Sequence, residues 1–502
     1  MDISKISWGN DSAELDENLT QYFVPSQQYE MLNKWQKNIV LGRKGTGKSA
    51  CRKKLSSELR ANCKNVVIEV LPRKEIFLAA KTNNSEFLKE SSEIFFENVW
   101  YEYLTKMAFK TIGSIQEGKC ITGSLERARS FAIEKGVSNL DFIERLKSLL
   151  SQLKIKSDLI GGASLDIITE LKSLQELDAF EYHLSKILED DIDVIFLIDD
   201  LDVGWDNSDI SNKLLHGLLL AVVRLREINI KLRNVTFLRN DIYKQIMNIT
   251  QHSDKFRDVV QLKWDYASLM KLLSKRIRFN FEEVDFMLEN ENETFLRVFP
   301  EKNGIKYTSD WMMERTLSRP RELIQFSKLY TENLSTNAQS IETLKKAEIQ
   351  YSDWKLQDLY NEYMHVFPGL KIFFATWKSR HKRKRYAMPG DEFSEFILEV
   401  LEDSPILPED GKFIYDIKME ANFMKLQECL YEIGFIGDVI IGGDGGTKII
   451  YSIGNDEHRP KFEKIQIHPC FRKAVDTVER IRSKRNDGQI STDEDSIGDD
   501  DE

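Results

Sequence analysis

The sequence predicts an α/β fold in which helices flank a largely parallel β-sheet. Short apolar runs, which are typical of buried strands, alternate along the chain with segments whose apolar residues recur at helical spacing. This alternation favours a parallel sheet, because each parallel connection has room for a helix. Two of the runs also end in unusual segments, one rich in glycine and one rich in aspartate. The predicted strands are residues 38–41, 65–70, 193–198, 234–238 and 259–262.

The glycine-rich segment follows the first predicted strand and precedes a predicted helix at residues 49–59. It fits the pattern G-x-x-x-x-G-K-[ST] of the phosphate-binding P-loop, in which backbone N–H groups and a helix N-terminus converge on an anion. The agreement of strand, loop and helix argues against a glycine-rich turn that binds nothing. ATP and Mg²⁺ are the expected ligands: the lysine should reach the β- and γ-phosphates, and the serine should hold the metal. The predicted nucleotide-binding residues are Gly42, Arg43, Lys44, Gly45, Thr46, Gly47, Lys48 and Ser49.

The aspartate-rich segment, residues 199–202, follows the apolar run that ends at residue 198. Mg²⁺ prefers carboxylate oxygens, and in P-loop proteins a carboxylate at the end of a neighbouring strand complements the loop hydroxyl. We therefore expect Asp199 and Ser49 to be the metal ligands and Asp200 to polarise the attacking water. Because aspartate is shorter than the glutamate found in many fast ATPases, slow hydrolysis is expected.

Arginines in two other places are candidates for contact with the γ-phosphate. Arg239 and Asn240 follow the predicted strand 234–238, and ligands of open α/β sheets bind beyond the carboxyl ends of the strands. Arg319 and Arg321 flank a proline at a predicted helix start, and either one would meet the phosphates only if the helical region closes. The alternative for Arg239 is a surface arginine without such a role. The alternative for Arg319 and Arg321 is a plain surface ion pair. The candidate catalytic residues are therefore Asp200, Arg239 and Arg321.

These motifs together resemble the AAA-like branch of P-loop ATPases, in particular origin-recognition and STAND-type ATPases. The resemblance is carried by residues 42–49, 197–202, 237–239 and 318–321. It implies ATP binding and hydrolysis in a core that is followed by a helical lid and a winged helix. The chain is most similar to a bacterial group of such ATPases, some of which are encoded beside phage-defence genes.

Two details qualify the resemblance. By motif position Arg321 matches the lid arginine called sensor 2, but Ser318 stands where a glycine is usual. The Asp-Asp-Leu-Asp motif is also similar to that of KAP-type ATPases, which are the second choice. In those proteins Arg-Cys usually follows the motif, whereas Val203 and Gly204 follow it here.

The predicted fold class is thus an α/β P-loop NTPase with a helical insertion, a helical lid and a C-terminal winged-helix-like domain. A β-hairpin around the glycines at 442–446, preceded by helices, suggests the last of these. The predicted divisions are a loosely ordered N-terminus at 1–20, an ATPase core at 21–280 with its insertion at about 113–190, a lid at 281–360, a C-terminal domain at 361–485 and a disordered acidic tail at 486–502.

Composition limits the class of protein. Of 502 residues, 41% are hydrophobic and 30% are charged, as in a globular protein of several domains, and eight acidic residues of the tail supply most of the net charge of −11. The five cysteines are scattered without a C-x-x-C pair, which suits a reducing compartment and excludes a disulfide framework. No apolar run is long enough to span a membrane. We expect a cytoplasmic protein.

Two functions remain open from the sequence. The first is an ATP-hydrolysing switch or motor that controls the lid and the C-terminal domain, with a homo-oligomer or a protein partner. The alternative is a nucleic-acid-binding regulatory protein with a slow or inactive nucleotide site, because six of the eight residues in Lys378–Arg385 are Lys or Arg and could contact DNA or RNA. A small-molecule kinase lacks an acceptor signature, and a GTPase would need an Asn-Lys-x-Asp motif, which is absent.

Overall fold

The computed structural model describes residues 2–10, 12–72, 74–82, 92–116, 122–137, 174–251, 253–281, 290–442, 446–455 and 457–479. The chain divides into two compact units, one of residues 12–262 and one of residues 1–11 together with 263–502. The helix Tyr266–Phe279, which we expected to end the ATPase core, belongs to the second unit because its buried residues pack on later helices.

A five-stranded parallel sheet lies at the centre of the first unit. Its order is β2-β3-β4-β1-β5, and every pairing is parallel. All five predicted strands are present, and residues 194–198 are buried along their whole length, as expected for a strand covered on both faces. The strands are β1 Ile39–Leu41, β2 Asn65–Val70, β3 Asp193–Ile198, β4 Leu232–Leu238 and β5 Val259–Gln261.

Helices of this unit pack against the sheet, with Leu55 and Leu59 joining Val40 and Ile195 in one buried cluster. In the described residues between β2 and β3 the chain is helical, as predicted, although residues 117–121 and 138–173 of the expected insertion lie outside the described part. The helices are α1 Leu19–Tyr22, α2 Gln27–Asn33, α3 Lys48–Ala61, α4 Lys74–Thr82, α5 Ser92–Gly113, α6 Gly123–Glu134, α7 Leu174–Glu189, α8 Asp209–Ile228 and α9 Asn240–Ile249.

The second unit begins with a helical region. A short hairpin of β6 (Lys302–Asn303) and β7 (Lys306–Tyr307) interrupts it. Ser318, just before α13, has φ 54°, the left-handed backbone region that favours glycine. This conformation explains why a glycine would suit the position. The helices are α10 Tyr266–Phe279, α11 Glu291–Leu296, α12 Thr308–Glu314, α13 Pro320–Glu332 and α14 Ile341–Glu362.

The N-terminal residues 2–10 pack on this helical region. We expected them to be loosely ordered, but Ile3, Ile6 and Trp8 are buried. The indole N–H of Trp8 also donates to the hydroxyl of Thr331 at 3.0 Å. Three apolar side chains and this hydrogen bond therefore hold a segment whose composition is mostly polar.

The C-terminal region combines helices with an antiparallel sheet in the order β10-β9-β11-β8. The predicted hairpin is present as β9 and β10, while residues 443–445 at its tip and the acidic tail at 486–502 lie outside the described residues. Winged-helix-like character remains a prediction. The elements are α15 Leu370–Arg380, β8 Ala387–Pro389, α16 Gly390–Asp403, α17 Pro408–Glu420, α18 Phe423–Glu432, β9 Ile436–Ile440, β10 Lys448–Ile450, β11 Lys464–Ile467 and α19 Pro469–Arg472.

No helix within the described ranges combines the length and the apolar character needed to cross a bilayer.

Candidate nucleotide and metal site

The glycine-rich loop connects β1 to α3 in the conformation that its glycines permit. Gly47, directly before α3, has φ 95°, where other side chains are strained. At Gly42 an added Cβ would lie 2.2 Å from Oγ1 of Thr46, so a side chain would not fit. The N–H of Gly42 donates to the carbonyl of Leu238 at 3.1 Å, which joins the loop to the end of β4.

The loop gathers several groups that favour an anion. The ammonium of Lys48 donates to the carbonyls of Gly42 at 3.0 Å and Arg43 at 3.3 Å, so it lies within the loop. The hydroxyl of Thr46 donates to the carbonyl of Arg43 at 2.8 Å and braces the turn. Since the N-terminus of α3 adds backbone N–H groups and the positive end of the helix dipole, the residues present fit a nucleotide phosphate.

Asp199, at the end of β3, is directly connected to the loop helix. Its side chain accepts a hydrogen bond from Nε of Arg52 on α3 at 3.2 Å, and the hydroxyl of Ser49, which follows Lys48 at the start of α3, is close enough to lower its pKa. Burial, with only 2% of the residue exposed, raises the pKa of Asp199, whereas Lys48, Arg52 and Ser49 each lower it. The two predicted metal ligands are therefore neighbours, and their oxygens are the ligand type that Mg²⁺ prefers.

Asp200 lies beside Asp199 in a strained conformation. Its φ is 60°, which is uncommon for residues other than glycine and occurs preferentially at functional positions. Burial first, and then the charges of Asp199 and Glu14, raise the pKa of Asp200 to about 6. A carboxylate with a pKa close to neutral pH suits a group that accepts a proton from water.

Arg239 extends from the end of β4, the strand that lies between β1 and β3. Asp241 accepts two hydrogen bonds from its guanidinium, at 3.0 Å and 2.5 Å, and Asp202 lies 3.7 Å from the same group. These contacts connect the acidic turn after β3 with the residue predicted to sense the γ-phosphate. Asn240 begins α9.

Arg319 and Arg321 lie in the second unit, each in an ion pair there. Arg319 is buried and pairs with Glu362 at 2.8 Å. Arg321 pairs with Asp358 at 3.3 Å, and 26% of its side chain is exposed. Of the two candidates for the lid arginine, the more exposed Arg321 is thus the better placed to change partner.

Two residues of this neighbourhood escaped the sequence reasoning. The guanidinium of Arg52 on α3 contacts Asp199, Glu69 and Glu14. The sequence offered a signal for Arg52, because this residue lies one helical turn after Lys48. It also offered one for Glu69, which is the charged residue among the otherwise apolar residues 66–70. Nothing in the sequence places Glu14 here, because it precedes the loop in a separate 3₁₀ turn, Ala13–Leu15.

The basic stretch Lys378–Arg385 is largely paired with acidic residues of its own unit. The pairs are Lys378 with Asp353, Arg380 and His381 with Asp403, Lys384 with Glu399 and Arg385 with Glu392. Lys382 and Arg383 are exposed. Within the described residues, Lys382 and Arg383 are therefore the part of the predicted positive surface for which no ion pair with a carboxylate is found.

Comparison with known proteins finds partial likenesses. Residues 267–360 match the family described as "FunZ-associated C-terminal helical domain". In an alignment of 491 positions that covers 92% of the chain, the sequence is 23% identical to the "Putative transposon gamma-delta 80.3 kDa protein" of Escherichia coli (strain K12). In an alignment of 130 positions that covers 24% of the chain, it is 28% identical to "Allergen Alt a 2" of Alternaria alternata. The matches span 66% and 64% of these two relatives.

Three solved structures contain chains that are similar to this one. They are the Aeropyrum pernix ORC1 protein in complex with DNA (TM-score 0.38, 10% identity, 93% of this chain and 96% of that chain), the Aeropyrum pernix ORC2 protein in ADPNP–ADP complexes (0.33, 9%, 89% and 94%) and CDC6P from Pyrobaculum aerophilum (0.31, 11%, 94% and 96%). We assign the α/β P-loop fold from the strand order and the strand–loop–helix geometry above.

Proposed function

We propose that the protein is a P-loop ATPase that binds Mg²⁺·ATP at the loop of residues 42–49 and hydrolyses it slowly. One observation above all supports this: the buried carboxylate of Asp199 lies at the start of the loop helix, close enough to Lys48 and to the hydroxyl of Ser49, the loop's last residue, for both to lower its pKa. This proximity brings together the two residues that the motif pattern assigns to the metal, across a long separation in sequence. A glycine-rich turn without a ligand would have no need of it.

The residues of this chain have separable roles. The ammonium of Lys48 and the N–H groups of the loop would bind the β- and γ-phosphates, and Ser49 with Asp199 would hold Mg²⁺. When bound, Mg²⁺ supplies positive charge that stabilises the phosphates during transfer. Asp200 would orient the attacking water and accept its proton, and Arg239 would sense the γ-phosphate.

The nucleotide state would control the second unit through Arg321. This residue matches the lid arginine of the similar ATPases, and its partner Asp358 lies on α14 of the helical region. Binding of the γ-phosphate would compete with Asp358 for the guanidinium and so bias the position of the lid. A role in phage defence and assembly into an oligomer remain predictions from the resemblance.

Phosphate release from ATP tests the proposed enzyme. We expect Mg²⁺-dependent turnover for the wild type, and loss of tight ATP binding and of turnover for Lys48→Ala. Lys54→Ala is the matched control, because Lys54 lies on the same helix but pairs with Glu58 in a surface i,i+4 contact. Equal ATP affinity of Lys48→Ala and Lys54→Ala would overturn the site assignment.

The lid role is tested with Arg321→Ala, which should lower turnover more than ATP affinity. Arg321 pairs with Asp358 and lies over the ring of Trp354. Arg315→Ala is the control, because Arg315 likewise pairs with a carboxylate (Glu348) and lies over a tryptophan (Trp311), yet does not match the lid motif. Similar turnover of the two variants would mean that Arg321 is structural.

A second candidate function is nucleic-acid binding, with a slow or inactive nucleotide site. The observation that favours it is the exposure of Lys382 and Arg383 beside the C-terminal antiparallel sheet. The A. pernix ORC1 structure contains DNA, which is a property of that protein. ATP turnover measured with and without DNA distinguishes this function from a switch that acts on a protein partner.

A further inference from the structure

Glu14 lies close to the two aspartates of the proposed site although it precedes the loop in sequence. One carboxylate oxygen from each of Glu14, Asp199 and Asp200 can be chosen so that the three oxygens lie within 4.8 Å of one another. Within the described ranges, this is the only group of three or more His, Cys, Asp or Glu residues with that property. Three carboxylates at such distances repel one another unless cations lie among them.

One buried side chain fixes this arrangement. Arg52 donates from Nε to Asp199 at 3.2 Å and from Nη2 to Glu14 at 3.2 Å, while Nη1 contacts Glu69 on β2. Only 6% of the Arg52 side chain is exposed, against 37% for Glu14. The planar guanidinium thereby sets the positions of Asp199 and Glu14 relative to each other, which a lysine could not do in the same way.

The 3₁₀ turn that carries Glu14 is also attached to the loop helix by other contacts. Lys53, the next residue on α3, donates to the carbonyls of Ala13 at 3.2 Å and Asp16 at 2.6 Å. The hydroxyl of Ser12 donates to Glu14 at 2.6 Å. Glu14 is therefore held at the acidic turn on both sides and is not a surface side chain that points there by chance.

We infer that Glu14 is a third acidic residue of the Mg²⁺ site and that Arg52 is the positioning residue that orients both Glu14 and Asp199. This inference rests on the proposed ATPase function. Glu14 would add negative charge where Ser49 and Asp199 would hold Mg²⁺, and Arg52 would keep the carboxylates of Glu14 and Asp199 from turning away. Replacement of residues that orient the ligands of a metal typically lowers metal affinity about 10–100-fold.

The test measures ADP affinity by titration calorimetry over a series of Mg²⁺ concentrations, so that it does not depend on turnover. For Glu14→Gln we expect about tenfold more Mg²⁺ to be needed for the half-maximal effect on ADP affinity. ADP affinity without Mg²⁺ should not be weakened, because the phosphates bind to the loop. Glu17→Gln is the control, since Glu17 is an exposed glutamate of the same segment. Identical Mg²⁺ dependence of the two variants would overturn the role of Glu14.

Arg52→Lys tests the positioning role with the charge retained. It should raise the required Mg²⁺ concentration in the same direction, and its effect should not add fully to that of Glu14→Gln, because both changes disturb one contact. Arg60→Lys is the control: Arg60 is on the same helix and contacts Glu69 at 3.5 Å, but its side chain is 50% exposed. Equal Mg²⁺ dependence of Arg52→Lys and Arg60→Lys, with far-UV circular dichroism unchanged, would exclude positioning by Arg52.

Failure of the inference and failure of the proposed function give different results. If wild-type ADP affinity responds to Mg²⁺ but Glu14→Gln behaves like wild type, only the inference is wrong. If wild-type protein binds no ADP, or binds it equally with and without Mg²⁺, the proposed function is wrong and the inference fails with it.

Discussion

Each compact unit contains a cluster of charged side chains that is at least partly buried, and the two clusters differ in their balance of charge. The loop cluster consists of Glu14, Asp199 and Asp200 with Lys48 and Arg52. The second cluster, which we call the lid cluster because it lies in the region that the sequence predicts to be a lid, joins α13 to α14 through three basic and three acidic residues. These are Arg319, Arg321, Lys355, Glu322, Asp358 and Glu362.

The lid cluster has no net charge, and all of its side chains except that of Arg321 are buried. Lys355 is fully buried and contacts Glu322 at 2.7 Å and Asp358 at 3.2 Å. Burial alone would lower the pKa of Arg319, but the carboxylates of Glu362 and Glu322 raise it, so the arginine stays charged. Every charge has a partner of opposite sign within the unit, and no ligand is needed to balance the cluster.

The loop cluster has more carboxylates than cations and reaches the solvent at Glu14. The excess of negative charge affects Asp200: burial and then the neighbouring carboxylates raise its pKa to about 6. The comparison teaches that buried charge by itself does not mark a functional site. A functional site is indicated instead by an excess of charge of one sign at the carboxyl ends of parallel strands, because a ligand of opposite charge can restore the balance.

The largest expected effect separates catalysis from stability in the loop cluster. Asp200→Asn should slow ATP turnover about 10²–10⁴-fold, because the amide cannot accept the proton of water. The same change should not lower the free energy of unfolding without metal, since it removes repulsion and asparagine tolerates a positive φ. Phosphate release and urea unfolding measure the two effects. If Asp202→Asn loses more turnover than Asp200→Asn, the proton acceptor is Asp202.

In the lid cluster, removal of one charge should affect stability first. Lys355→Met should lower the free energy of unfolding by about 3–5 kcal/mol, because it leaves buried carboxylates without their cation. Lys345→Met, at an exposed position of the same helix, is the control and should change stability by less than about 0.5 kcal/mol. Equal urea midpoints for the two variants would mean that the lid cluster does not depend on its balance.

Acid should weaken the same unit through His468, which is buried near this cluster. Burial, and then Arg472, Lys355 and Arg315, lower the pKa of His468 to about 3. The unfolded chain binds a proton below its ordinary pKa of 6.5, whereas the folded chain does not until about pH 3, so stability is complete above pH 6.5 and is lost as the pH falls.

At pH 5 this loss should amount to about 2 kcal/mol. His468→Asn removes the titration, and asparagine can still accept the hydrogen bond from the N–H of Cys470 that His468 accepts now. Urea unfolding at pH 7 and pH 5 should therefore show a smaller difference for the variant than for wild type. An equal difference would exclude His468 as the source.

The smallest expected effect concerns the basic stretch. If it contacts a nucleic-acid backbone, replacing Lys382 and Arg383 by Gln should reduce the salt slope of DNA binding by about 2, near 0.9 for each lost contact. Replacing Lys384 and Arg385, which are already paired with Glu399 and Glu392, should change it less. Equal slopes for the two double variants, measured by fluorescence anisotropy, would contradict a specific contact by the exposed pair.

Local patterns in the sequence predicted much of this fold and site. The five strands, the loop and the acidic turn were found because each is specified by a few adjacent residues. The cap of α8 is equally local, since the side chain of Ser208 accepts a hydrogen bond from the N–H of Ser211 three residues later.

What the sequence could not predict depends on contacts between distant residues. Arg52 and Lys53 hold the turn of Glu14 close to Asp199, and the N-terminal segment is held by Ile3, Ile6 and Trp8, the last of which bonds to a helix more than 300 positions away. The boundary at residue 262 depends likewise on which helices α10 packs against. Such long-range packing overrides local composition.

The central claim is that the loop and the acidic turn form one Mg²⁺–nucleotide site. The most direct test is calorimetric titration of a non-hydrolysable ATP analogue into wild type and Asp199→Asn, with and without Mg²⁺. We predict that Mg²⁺ tightens binding to wild type at least about tenfold, the equivalent of 1.4 kcal/mol, and that Asp199→Asn loses this gain while keeping its metal-free affinity. Equal affinity of wild type with and without Mg²⁺, or a gain retained in Asp199→Asn, would contradict the claim.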